Sequence, residues 1–277
     1  MLLPKLVPAG SSYVRVPVSK RACMRILLET VQRGSRFWCA GSVAPDKALG
    51  FADKMARAYH ADANQAQRAY AKRRGHANTT LVMYPDTAAT ILWWLLATQG
   101  VGSVHERERL ADAHAGRSAL VWRDQYLLRH VQRPRAHGGG RTWTWLLLPH
   151  RMNALMSAMR QAATAPGAAH ARTDDLQQLV HAVMRMPGYY GVRQQQLELL
   201  RAGREVWERT HATGVTFPWP ERVPYLDKGF ACYHRPEPLR LDALVRMLAA
   251  RSMIDRGTAP GRGARDPEGD HPDEGPA

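Results

Sequence analysis

Between residues 13 and 41 the chain reads YVRVPVSKRACMRILLETVQRGSRFWCAG, in which Arg15, Lys20, Arg21, Arg25, Arg33 and Arg36 face a single carboxylate, Glu29. A guanidinium pairs with phosphate oxygens as a two-pronged fork and keeps its charge at any cellular pH. Such a run reads in three ways: a solvated surface, a contact for a polyanionic partner, or an active site built from guanidinium groups.

Other residues with a look of chemistry are less persuasive. HGGG at 137–140 matches the oxyanion loop of lipases, yet the chain has no G-x-S-x-G nucleophile elbow, so the segment reads as a hairpin tip. Gly100 and Gly102 lack the third glycine and the acidic residue of a dinucleotide site, and no phosphate-binding G-x-x-x-x-G-K-[ST] loop is present. HERERLADAH, residues 105–114, reads as a solvated helix face with side-chain pairs. Cys23, Cys39 and Cys232 have no C-x-x-C spacing, and twelve histidines include no H-E-x-x-H pair, so neither a metal nor a small-molecule cofactor is expected. Trp143 and Trp145 have the spacing of rings that stack on bases, but their alternation with Thr142 and Thr144 places them towards a core.

The elements that must position these cations belong to a folded chain. Apolar residues make up 45% of the 277, including eight tryptophans, too many for a disordered basic protein. The net charge of +15 points to a nucleic acid or an anionic membrane. Residues 256–277 hold three arginines against five acidic residues, which leaves +17 on residues 1–255, and their composition predicts a disordered tail. The longest strongly apolar run, Ala88 to Ala97, is about half the roughly 20 residues that cross a bilayer. With no signal-like segment either, a cytoplasmic protein without membrane contact is expected.

Val14, Val16 and Val18 alternate as in a strand, and Ser19 caps a helix whose Met24, Leu27, Leu28 and Val31 form one stripe that Gly34 ends. SRFWCAGSV predicts a second strand that returns Arg36 towards the helix start. Residues 45–75 read as a basic helical insertion, 79–85 as a strand and 87–98 as an apolar helix. Antiparallel strands joined by a basic Pro/Gly loop at 134–140 follow, with Arg129, Arg133, Arg135 and Arg141 beside His130 and His137. Three helices at 150–163, 174–186 and 192–211, a short strand GFACYHR and a last helix carrying Leu241, Leu244, Val245 and Leu248 complete the chain. The class is α+β with a large helical content, divided into an N-terminal unit, 1–110, with a helical finger at 45–75, and a C-terminal unit, 111–255.

This layout, a strand leading to an arginine-bearing helix, a basic helical insertion and a C-terminal strand and helix with arginine, resembles the plasmid-encoded type IV CRISPR endoribonucleases that process guide RNA. It covers roughly residues 13–75 and 225–255 and rests on no short motif. The RAMP-type enzymes usually carry a glycine-rich loop near the C-terminus, where this chain has only Gly229. The resemblance implies ferredoxin-like, RRM-like units and metal-independent cleavage of a CRISPR repeat hairpin by attack of a 2′-OH on the adjacent phosphate. It also implies retention of the crRNA in a ribonucleoprotein with other effector subunits. Arg21, Arg36 and Arg240 occupy positions comparable to the family's catalytic arginines, with His234 as a reserve acid or base. Lys72, Arg73 and Arg74 at the tip of the insertion would grip the hairpin, helped by Arg25, Arg133 and Arg135. The competing expectation is a non-enzymatic DNA-binding accessory protein of a plasmid or integrating conjugative element, which would use the same basic surface without chemistry.

Overall fold

A computed structural model describes residues 13–164, 171–211, 214, 216–223, 225 and 230–257, and the statements that follow concern these. They form a mixed α+β structure of eight helices and two antiparallel sheets. Helix α1, Lys20–Gln32, starts where the Ser19 hydroxyl accepts from the Ala22 amide at 3.2 Å, and it buries Met24, Leu27, Leu28 and Val31. Gly34 supplies the left-handed turn, φ +103°, that leads into strand β1, Phe37–Val43.

The segment before α1 begins with the expected alternation, Val14 and Val16 buried and Arg15 exposed, but loses it at the buried Pro17 and the exposed Val18, and it is shorter than the strand expected there. Its pairing is one antiparallel bridge, Arg15 to Arg240, flanked by bonds from Val16 N to Leu239 O and from Leu241 N to Val14 O. Helices α2, Pro45–Tyr59, and α3, Gln65–Arg73, form the expected insertion.

Strands β2, Thr79–Thr87, and β3, Thr90–Ala97, make an antiparallel hairpin. The apolar run at 87–98 is therefore a strand and not the helix its composition suggested. Both faces of this sheet are covered: Val82, Trp94 and Leu96 pack against α1, while Leu81, Met83, Ile91 and Leu95 pack against α2. A strand buried on both faces shows no polar alternation, and periodicity alone does not separate it from a buried helix. The region at 105–114 also departs from a helix: α4, Ser103–Arg107, is short, and β4, Ala111–Asp112, pairs with β1. The sheet order is β2-β3-β1-β4.

Strands β5, Val121–Trp122, β6, Tyr126–Gln132, and β7, Arg141–Leu147, form the second sheet. It closes over the other side of α1, where the buried Trp145 indole donates to the Met24 carbonyl at 3.0 Å. Residues on both sides of position 110 thus share one core. Helices α5, Pro149–Thr164, α6, Ala171–Met184, and α7, Tyr190–Thr210, build a separate apolar cluster around Met159, Leu176, Leu199 and Trp207. Helix α8, Leu241–Gly257, returns to α2, so the C-terminal helix joins the N-terminal core.

Gly229 and residues 258–277 lie outside the described residues, and Arg256 and Gly257 end α8. The strand expected from GFACYHR is absent over Phe230–Arg235, which run as irregular backbone alongside α1 with Val18 N bonded to Cys232 O at 3.1 Å. No described helix is long and apolar enough to cross a membrane.

Candidate nucleic-acid interface

Helix α3 buries none of its residues, so packing of an apolar face does not explain why it exists. It is held from its polar side. Asn64 and Gln67 bond reciprocally to each other's backbone amides at 3.0 and 2.8 Å, closing the N-terminus. Arg68 donates to the carbonyls of Ala63 and Ala61 at 2.8 and 3.2 Å and to the Thr80 hydroxyl at 3.0 Å, and the Asn78 amide donates back to the Arg68 carbonyl. Arg68 is thereby a structural clamp. Lys72, Arg73 and Arg74 stay exposed, with Arg74 5.1 Å from the centre of the Tyr70 ring. Cations suit the C-terminal end of a helix on their own account. Three in a row with no carboxylate from Ala63 to Asn78 exceed that need.

The register of the first sheet determines what else shares this end. Thr79, Ala97, Phe37 and Asp112 form one row across β2-β3-β1-β4. Three strand spacings of about 4.8 Å place the last of them roughly 15 Å from the root of α3. Asp112 Oδ1 accepts from the His114 amide at 2.9 Å, and the His114 ring meets Trp143 edge-on, which stacks in turn on His130. His130 and Trp143 are cross-strand partners in the β6–β7 hairpin, whose Arg135 and Arg141 are exposed and whose Arg133 is half-buried. Burial, then Arg141 and His114, holds the His130 imidazole below its usual pKa, so near neutral pH His130 adds little to the charge that the arginines give this hairpin. The side of the sheet that carries α3 and the side that meets the basic hairpin thus share one end of the strands, at the opposite edge strands β2 and β4.

The start of α1 lies at the opposite end. A groove of about 860 Å³ opens there, with Lys20, Arg21, Arg151 and Arg185 among its lining residues. The Lys20 ammonium donates to Gln125 Oε1 at 2.6 Å and sits 4.7 Å from the centre of the Tyr126 ring. Burial, reinforced by Arg123, lowers its pKa to about 8. Arg151 also donates to the Asp124 carbonyl at 3.0 Å.

The four expected catalytic residues do not gather in one place. Arg21 is exposed on this groove, whereas Arg36 follows the far end of α1. Eleven residues of helix at 1.5 Å each put roughly 17 Å between those ends. The strand that follows Arg36 starts at the far end and does not return it towards Arg21. The Arg36 guanidinium is engaged with Asp112 at 2.6 Å. Arg240 meets Arg15 through the backbone bridge, and His234 is exposed in irregular chain. Arg25 pairs with Glu29 at 2.8 Å and lies 5.1 Å from the Phe230 ring centre. Its position is a brace between α1 and the 230–233 segment.

Sequence reasoning counted Lys20 among the cations of this stretch without giving it a role in the site, and it missed Arg151 and Arg185. Lys20 was legible, since a lysine at the first turn of a helix opposes the helix dipole and calls for an explanation. The two arginines, one in α5 and one in the turn after α6, lie more than 100 residues away in the chain and only tertiary packing joins them. Among the described residues, no group of three or more His, Cys, Asp or Glu side chains is placed to hold a metal ion.

Comparison with family models, curated proteins and solved structures finds no match for this chain.

Proposed function

We propose that the protein binds nucleic acid along the edge that runs from α3 to the β6–β7 hairpin. The carrying observation is α3 itself, a helix that buries nothing, is clamped by Arg68 and presents Lys72, Arg73 and Arg74 in a stretch with no carboxylate from Ala63 to Asn78. Phosphate neutralisation by such cations releases counterions, so affinity should fall steeply with salt. The test is a fluorescence-anisotropy titration of labelled hairpin RNA, single strands and duplex DNA from 50 to 400 mM salt, with the wild type and the Lys72→Ala, Arg73→Ala, Arg74→Ala triple variant. Loss of roughly two to three units of salt slope in the variant supports the interface. Equal slopes would sink it. A duplex DNA preference with no cleavage would favour the accessory protein of a plasmid or conjugative element.

The second reading, processing of CRISPR repeat RNA by a RAMP-type endoribonuclease, is favoured by the groove at the start of α1. In it the site consists of Lys20 and Arg21 with Arg151 and Arg185, rather than of Arg21, Arg36 and Arg240. The 2′-oxygen attacks the adjacent phosphorus, its proton passing to water, and the bond from phosphorus to the 5′-oxygen breaks. Arg21 would stabilise the extra negative charge, and the Lys20 ammonium would protonate the leaving oxygen. The products are a 2′,3′-cyclic phosphate and a 5′-hydroxyl. A hairpin RNA with a single 2′-deoxy substitution at the scissile position must resist cleavage on this reading. Cleavage of that substrate rules it out.

The ferredoxin-like part of the proposal rests on α1 and the four-stranded antiparallel sheet beside it. RRM-type stacking of bases on an open sheet face does not carry over, because α1 and α2 cover the two faces. Retained crRNA and other effector subunits are the partners this second reading implies.

A further inference from the structure

Beside α3 lies a cavity of about 520 Å³, within the size range of sites for small ligands. Two of its lining residues, Tyr70 and Val101, are large apolar side chains with 54% and 68% of their surface exposed. Exposed apolar groups scattered singly need no explanation, but two in one cavity do.

Val101 is held there by construction. Its carbonyl accepts from the Ala77 amide and its amide donates to the Gly75 carbonyl, each at 2.9 Å. That approach needs Gly100, at φ +147°, where a Cβ would lie 2.6 Å from the Ala77 nitrogen. Tyr70 stands on the exposed helix with Arg74 against its ring. Gln67, His60, His76 and Asn78 add hydrogen-bonding groups to the same walls. The combination is an aromatic face, an aliphatic wall and polar groups at the edge, among them the Asp62 carboxylate, with Arg74 the cation that borders the Tyr70 ring.

We propose that this cavity takes one unstacked nucleobase of a single strand, stacked on Tyr70, while Arg74 and the basic end of α3 beyond it hold the flanking phosphates. The inference rests on the nucleic-acid reading above and adds what the site reads: a base, and not only a backbone. Stacking on an aromatic side chain tolerates every base because each has a π-face.

The test compares the wild type, Tyr70→Ala, Tyr70→Trp and Val101→Asp for binding to one 12-nucleotide sequence. The sequence is offered as single-stranded RNA, as single-stranded DNA and as the DNA duplex. Thermal melting of each variant verifies folding, which side chains as exposed as Tyr70 and Val101 should preserve. Tyr70→Ala and Val101→Asp are expected to weaken single-strand binding by roughly 5- to 150-fold, with Tyr70→Trp retaining it and the duplex affinity unchanged in all. Loss on both sugars supports base capture alone, and loss on RNA only supports capture with a ribose contact. If the wild type binds and Tyr70→Ala binds single strands equally well, the cavity proposal fails while the basic edge stands. If the wild type binds none of the three, both fail.

Discussion

Arg36 donates to Asp112 at 2.6 Å and lies 5.0 Å from the centre of the Phe37 ring, at the end of α1 remote from Arg21. The pair joins the turn after α1 to β4 and is partly exposed on both sides. Arg36→Ala should therefore cost roughly 1 kcal/mol in urea denaturation. In a hairpin-RNA cleavage assay it should leave the rate within about threefold, since a charge this far from the groove contributes little through solvent. A loss as large as that of Arg21→Ala would return Arg36 to the site.

Lys20 ties a rate to a proton. Its folded pKa of about 8 lies below the ordinary lysine value because burial disfavours the charged form. As the acid of the cleavage step it must be protonated, so the rate should fall as pH rises through about 8. Lys20→Arg should abolish that falling limb, because a guanidinium does not titrate there. Stability moves the other way. Between about pH 8 and the unfolded lysine pKa the unfolded chain binds more protons, so this group's contribution to stability rises with pH across that window. Denaturation of the wild type and Lys20→Met from pH 7 to 10 reads the difference, and parallel pH curves for the two would show that Lys20 is not perturbed.

Arg68 is expected to govern α3 separately from the rest of the fold. Because the helix buries nothing, its order depends on polar anchors. Arg68→Ala should raise amide hydrogen exchange across residues 65–74 by about tenfold or more, which corresponds to about 1.4 kcal/mol, while exchange in β3 stays unchanged. Uniform acceleration across the chain would mean that α3 is part of the global unfolding unit.

Two glycines in helices should respond with opposite signs. A Cβ at Gly191, in the first turn of α7, would lie 2.6 Å from the Trp145 carbonyl oxygen and 2.8 Å from Thr144, with backbone that has no room to retreat. Gly191→Ala should cost about 2–3 kcal/mol. Gly50 in α2 has nothing within 4 Å of a Cβ, so Gly50→Ala should gain about 0.5–1 kcal/mol. Denaturant midpoints measure both, and equal signs would refute the packing at the junction of α7 and β7.

The sequence by itself determined those elements whose signals are local. Ser19 and Gly34 bracket α1, the stripe Met24, Leu27, Leu28 and Val31 marks its inner face, and the glycines after Pro134 mark a hairpin between β6 and β7. The run from Thr90 to Ala97 was illegible because both its faces are buried, and such a strand loses the alternation that identifies one. The basic character and the three cations after Tyr70 were equally legible, since charge needs no partner in the chain to be read. Only the tertiary structure decided which cations meet. It placed Arg21 with Arg151 and Arg185 on one groove and engaged Arg36 with Asp112 at the other end of α1, and it brought Val101 beside Tyr70. Helix length and strand register set those distances, and neither is encoded in the spacing of the arginines themselves.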